Sequence, residues 1–149
     1  MLAGGFQRGL ELGTSYGYSG LWLGSAFAHN GGALTTLDHS PAKTDLAQAA
    51  FAAAGLGATI NVLVGDAADS IARLTGPFDF AFLDPDKENL PRYFELLWPR
   101  LGPRATLVTD NVLSHPAQVG PFAEMLRRHP QLCSTLVGIG SGLELTVKL

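Results

Sequence analysis

A single cysteine, Cys133, in 149 residues excludes an internal disulfide and any cysteine-based metal cluster. Charge is sparse as well: Asp, Glu, Lys and Arg make up 15% of the chain, the net charge is −3, and no block of five like charges occurs. A nucleic-acid platform needs clustered positive charge to neutralise phosphates, so that class is excluded. The longest apolar runs are strand-length, short of the roughly 20 residues that cross a bilayer. No basic-then-apolar leader opens the chain. What is plentiful is apolar material, 46% of residues, which supplies a core and excludes disorder. These features predict one soluble, cytoplasmic domain over residues 1–149, with neither a nucleic-acid nor a membrane partner.

Short β-leaning runs fall at Leu10–Leu12, Ala33–Leu37, Ile60–Val64, Phe78–Leu83, Ala105–Val108, Ser134–Ile139 and Leu143–Val147. Between most of them lie stretches of helical spacing at Ser19–His29, Ala42–Ala54, Ala67–Leu74, Leu90–Leu97 and Pro116–His129. That alternation predicts a doubly wound α/β fold, Rossmann-like, with a seven-stranded, mostly parallel sheet and helices on both faces. Ser40-Pro41 reads as a helix start, Gly55 as a helix end, Asn89 and Pro91 as the opening of the fourth helix, and Gly102-Pro103 as the turn behind it. Only Gly140-Ser141-Gly142 parts the last two runs. So short a link cannot cross over, so they form a hairpin and the last strand is antiparallel.

The sharpest motif, Leu10-Glu11-Leu12-Gly13-Thr14-Ser15-Tyr16-Gly17-Tyr18-Ser19-Gly20, sits where the first strand passes into the first helix. Glycines allow a tight turn and close approach to a ligand, and a helix N-terminus offers free N–H groups. The spacing does not spell G-x-G-x-x-G, so a pyrophosphate cradle for a nicotinamide dinucleotide matches poorly. Glu11 before the loop would repel a pyrophosphate but can pair with a ligand ammonium. Asp38 ends the next strand, 25 residues after Gly13, where an acid meets two ribose hydroxyls. Gly65-Asp66-Ala67 follows the third strand and can border a purine. Any doubly wound protein also carries a glycine turn at this place.

Together with Phe82-Leu83-Asp84-Pro85-Asp86-Lys87 and Asp110-Asn111, these motifs resemble the S-adenosylmethionine-dependent O-methyltransferases of the caffeoyl-CoA and catechol type. The similarity runs from about Arg8 to the C-terminus, with the motifs in order. It implies S-adenosyl-L-methionine as cofactor and a small hydroxyl-bearing acceptor, catechol-like or hydroxycinnamoyl-like. It implies that Glu11, Gly13, Tyr16 and Ser19 hold the methionine end, Asp38 the ribose, and Asp66-Ala67 the adenine, with Asp84 at the same crevice. Relatives of this type carry several helices before the first strand, whereas Glu11 here comes almost at once. The surface those helices cover should then be apolar and exposed, and a homodimer is expected.

Asp84 and Asp110-Asn111 each follow an apolar run, at the strand ends where open α/β sheets place their ligands. Two carboxylates and an amide oxygen form a hard set suited to Mg²⁺, with Ca²⁺ or Mn²⁺ as alternatives. Such an ion leaves room for a vicinal diol and lowers its hydroxyl pKa. Lys87, three residues after Asp84, can take the proton. The resemblance assigns the same roles: Asp84, Asp110 and Asn111 as metal ligands, Lys87 as base. Asp and Asn at strand ends are also ordinary turn formers, and Asp86-Lys87 reads equally as a solvated pair. Asp84-Pro85-Asp86 is also similar to the Asp-Pro-Pro-aromatic loop of amino-group methyltransferases, but lacks its second proline and aromatic. A cofactor-binding domain without turnover is the third alternative. Trp22, Trp98 and Cys133 read as core residues, the four histidines as exposed or loop residues, and Glu144 as either substrate-facing or solvated.

Overall fold

The computed structural model describes residues 2–149. In chain order the elements are β1 (Arg8–Leu12), α1 (Tyr18–Asn30), β2 (Ala33–Asp38), α2 (Pro41–Ala53), β3 (Ile60–Val64), α3 (Ala67–Arg73), β4 (Phe78–Leu83), α4 (Leu90–Leu97), β5 (Leu101–Thr109), α5 (Pro116–Arg128), β6 (Leu132–Val137) and β7 (Leu143–Lys148). The strands form one sheet in the order β3-β2-β1-β4-β5-β7-β6. The pairs from β3 through β5 are parallel, while β7 runs antiparallel to both β5 and β6. The expected hairpin therefore forms, but its second strand inserts beside β5 and leaves β6 at the edge.

Local chemistry starts and stops the helices where the sequence indicates. Ser40 precedes Pro41 at the head of α2, Asn89 and Pro91 open α4, and the Asp66 side chain caps α3 by accepting from the Asp69 amide at 2.9 Å. One core cluster packs α3, α4 and α5 against one sheet face through Leu10, Leu83, Leu97, Leu107 and Phe122. The other packs α1 and α2 against the opposite face through Phe27, Leu34, Phe51 and Ile60. This second layer covers only part of its face. Beyond Phe6 and Leu23, an open apolar depression of about 430 Å³ is lined by Phe82, Val108, Leu143, Leu145 and Val147.

Several expectations change. Gly102-Pro103 is no turn: it lies inside β5, where the register against β4 shifts between Phe78 and Phe80 and Arg104 takes φ 61°. A bulge at the start of a strand tolerates a proline that has no amide to donate. Trp22 is 70% exposed, on the outer side of α1, and Cys133 on edge strand β6 is exposed too. Trp98 is half-buried as expected, but His129, half-buried, packs on it at 4.9 Å between ring centroids instead of facing solvent. Among the described residues no helix is long and apolar enough to cross a membrane.

Candidate functional site

The chain leaves β1 toward β2 and β3 on one side and returns to β4 on the other, so strand order reverses between β1 and β4. Open α/β sheets bind ligands in the crevice at such a reversal. Here the crevice is a cavity of about 440 Å³, lined by Gly13, Ser15, Asp38, Lys43, Gly65, Asp66, Ala67, Asp84, Asp86, Asn89 and Tyr93 among others. Gly13 forms its floor at φ +101°, and a Cβ there would lie 2.4 Å from the Asp84 carbonyl oxygen. Only glycine permits that approach. The turn is tied across to β2, since the amides of Gly13 and Thr14 both donate to the Leu37 carbonyl, at 2.9 and 3.1 Å.

Asp38 projects from the end of β2 and accepts from the Ser15 amide at 2.7 Å and the Ser40 amide at 2.9 Å. Each oxygen keeps a lone pair for a hydroxyl donor. Asp66 has one oxygen occupied as the α3 cap, so it is fixed in place beside Ala67. Asp86 is not a solvated partner of Lys87: it accepts from the Tyr93 hydroxyl at 2.7 Å and from the Asn89 amide. Burial and that hydrogen bond hold the Tyr93 phenol above its ordinary pKa, so it stays a proton donor to Asp86. Neither Tyr93 nor Lys43 was legible as a site residue. Tyr93 reaches the cavity from a helix whose spacing reads as core, and Lys43 sits over the Tyr16 ring at 5.7 Å from a helix start.

Glu11 is not among the residues that line this cavity. It is completely buried in the middle of the sheet; Oε2 accepts from the Thr36 hydroxyl at 2.6 Å, and Thr36 in turn takes the Thr14 hydroxyl at 2.6 Å. Oε1 has no partner among the described residues. Burial pushes its pKa up to about 7, against the pull of Ser19 and Thr36 and with help from Asp84 and Asp38. A buried acceptor without a donor is costly, and a cationic donor relieves it. Ser19 is half-buried at the start of α1, whereas Tyr16 is 62% exposed.

Where β4 and β5 end side by side, the Asp84 amide donates to Leu12 O at 2.9 Å and the Asp110 amide to Leu83 O at 3.1 Å. Asp84 thus lines the cavity and also neighbours Asp110. The Lys87 ammonium sits on Asp84 Oδ1, and Asn111 takes φ 69°. Among the described residues no three His, Cys, Asp or Glu side chains converge as a metal-holding group. A divalent ion would therefore need the Asn111 amide oxygen as its third protein ligand. Two carboxylates and one amide fit a hard cation. His115 is exposed, with Nδ1 3.0 Å from the Ser114 hydroxyl.

Glu144 faces neither substrate nor solvent. It is completely buried on β7, takes Arg127 through Nε at 2.8 Å, and accepts the Ser134 hydroxyl at 2.7 Å. Arg127→Met is expected to cost about 2 kcal/mol, read in a urea melt, because Glu144 loses its cation but keeps Ser134 and some solvent access along the half-open arginine.

A family profile described as a methyltransferase domain matches residues 10–112. The catechol O-methyltransferase of Mycobacterium tuberculosis is 40% identical over 118 residues, covering 76% of this chain and 52% of that protein. The catechol O-methyltransferase of Niastella koreensis is 37% identical over 108 residues, 70% of this chain and 48% of that one. The chain spans about half the length of these curated relatives. An O-methyltransferase from Bacillus cereus, solved with SAH, superposes with a TM-score of 0.87 at 28% identity, over 99% of this chain and 76% of its own. An O-methyltransferase of tomaymycin synthesis from Streptomyces achromogenes, solved with SAM, gives 0.88 at 28% identity, over 99% and 75%.

Proposed function

Because the chain belongs to the methyltransferase-domain family, we propose that it moves a methyl group from S-adenosylmethionine to a hydroxyl of a small diol-bearing acceptor, catechol-like or hydroxycinnamoyl-like, with a divalent cation at Asp84, Asp110 and Asn111. One observation carries the reading: an acid-lined crevice whose Asp84 stands at the strand end next to that of Asp110. Four aspartates (Asp38, Asp66, Asp84 and Asp86) and one lysine, Lys43, line the cavity, and the buried Glu11 is close enough to feel the charges of Asp84 and Asp38. That lining favours a sulfonium-bearing, ammonium-bearing ligand and disfavours a pyrophosphate.

When bound, the sulfonium cofactor supplies an electrophilic methyl and a divalent cation lowers the pKa of an acceptor hydroxyl. The chain's own part is orientation and proton handling. The buried Glu11 carboxylate, whose Oε1 has no protein partner among the described residues, attracts the cofactor ammonium by its charge, the Asp38 carboxylate takes ribose hydroxyls, and the Asp66-Ala67 turn borders the adenine near Gly13. Lys87 Nζ, seated on Asp84, is the group placed to take the acceptor proton, its own having passed to solvent when the cation and acceptor bind. Lys87→Ala is expected to lower the maximal rate about 100-fold and to make it rise more steeply with pH, as a pH–rate profile shows. Arginine at this position should fail to restore the rate, since it stays protonated.

The test is a methyl-transfer assay on catechols and hydroxycinnamoyl thioesters, with calorimetry against S-adenosylhomocysteine and NAD. Binding of NAD alone overturns the reading. A homodimer belongs to the same proposal. On β7 the leucines face the open depression while Glu144 and Thr146 are buried, the reverse of a solvent-facing strand. An apolar face of this kind supports association with a second copy; a monomer mass by light scattering at high concentration refutes it.

A further inference from the structure

Asp110 is held by a residue 31 positions away in sequence. The Ser141 hydroxyl, in the β6–β7 turn, donates to Asp110 Oδ1. The Asn111 amide donates to the same oxygen at 2.6 Å. Both protein donors to this carboxylate among the described residues thus converge on Oδ1, and Oδ2 is left for an outside partner. A carboxylate with two donors on one oxygen has its plane fixed, because rotation about χ2 would break both bonds.

The turn that carries Ser141 is itself locked to the loop after β5. The Ser141 carbonyl accepts from Leu113 N at 2.8 Å and Ser114 N at 3.1 Å, and the Gly142 carbonyl accepts from Val112 N at 3.0 Å. Gly142 stands at φ +82° with Leu113 so close that a Cβ would lie 2.5 Å from its Cγ. The hairpin turn and the 111–114 loop therefore move as one piece, and the Ser141 hydroxyl is the only side-chain atom of that piece that reaches the carboxylate.

We infer that Ser141 is a positioning residue that presents Asp110 Oδ2 to a divalent cation, a role resting on the proposed function above. Removing the hydroxyl alone leaves every backbone bond of the turn in place, so the piece stays folded while the carboxylate loses its second tether. Partners of this kind behind a metal ligand change ion affinity about 10-fold or more when removed.

The experiment is a Mn²⁺ titration, followed by electron paramagnetic resonance, of the full chain and of Ser141→Ala and Ser141→Thr, with melting temperature and S-adenosylhomocysteine affinity measured alongside. Support is a roughly 10-fold weaker Mn²⁺ site in the alanine variant, recovery in the threonine variant, and unchanged melting and cofactor affinity. Equal Mn²⁺ affinity in wild type and Ser141→Ala overturns the inference and leaves the metal reading standing. A fall in Mn²⁺ affinity matched by a fall in melting temperature and cofactor affinity overturns it too, as mere loss of structure. If the wild type binds no Mn²⁺ at millimolar concentration, the metal reading falls and this inference with it.

Discussion

Asp110→Ala should reduce turnover at least about 100-fold while leaving the affinity for S-adenosylhomocysteine within about two-fold. The asymmetry follows from position. Asp110 lies beyond the end of β5 and is absent from the lining of the crevice, whereas Gly13, Asp38, Asp66 and Asp84 line it. A neutral catechol hydroxyl is a weak nucleophile near pH 7, and the one histidine close to these strand ends, His115, is exposed and turned to Ser114. In the proposed reading, the cation held by Asp84, Asp110 and Asn111 is what helps the acceptor to ionise beside Lys87. Asp110→Asn is the sharper variant, since its amide oxygen keeps the bonds from Asn111 and Ser141 and only the charge is lost. Should chelator-treated protein methylate a diol as fast as metal-loaded protein, Asp84, Asp110 and Asn111 return to the role of turn formers.

The second large effect is a pair of opposite pH dependences at Glu11. Its pKa in the folded protein is about 7, above the ordinary 4.5. A raised carboxyl pKa means that the fold holds the proton more tightly than the unfolded chain does. The resulting stabilisation is complete below about pH 4.5 and lost as pH rises through about 7, on the order of 3 kcal/mol across that window. The ligand-free protein should therefore be less stable at pH 8 than this group alone would allow at pH 5. Cofactor affinity should run the other way. The ammonium needs the carboxylate, so binding weakens below pH 7 by up to about 10-fold per unit as Glu11 takes a proton. Glu11→Gln separates the two effects: it should remove this part of the pH dependence of both and weaken cofactor binding at pH 8. Calorimetric titrations with S-adenosylmethionine between pH 5.5 and pH 8 measure it, and an affinity flat over that range refutes the pairing.

Much of this architecture was legible because apolar runs and punctuation agree. Ile60–Val64 and Phe78–Leu83 begin and end where their runs do, each strand closing at the residue before a glycine or aspartate turn. Gly13, Asp38, Asp66, Ala67 and Asp84 were also readable as lining of the crevice, because each stands at the C-terminal end of a strand or within three residues after it, and a parallel sheet brings all such ends to one edge. The failures have physical causes. Trp22 matches helical spacing only loosely; the buried set of α1 is Gly20, Leu23, Gly24, Ala26 and Phe27, which leaves position 22 outside. β5 begins before Pro103 because a bulge absorbs the proline, which no local pattern announces. The alternation of Leu143 to Val147 says which residues share a face but not which face is covered. The covering is decided by Arg127, sixteen positions before Leu143 in the chain, and by the absence of a helix over Leu145, which is 37% exposed. Tyr93 and Asp86 meet only once α4 is packed.

The placement of β7 also sets an order of assembly. It lies between β5 and β6 and follows both in the chain, with Thr109 opposite Glu144 in register. Until β7 has left the ribosome, β5 offers a bare edge and β6 has no neighbour to pair with. The earlier strands can zip together in near-sequential order, but the edge that carries Asp110 waits for a partner from more than thirty residues further on. Non-local pairings of this sort close slowly and leave a sticky intermediate. Nascent chains arrested before Leu143 should thus be chaperone clients, holding a formed crevice between β1 and β4 beside an unfinished β5 edge.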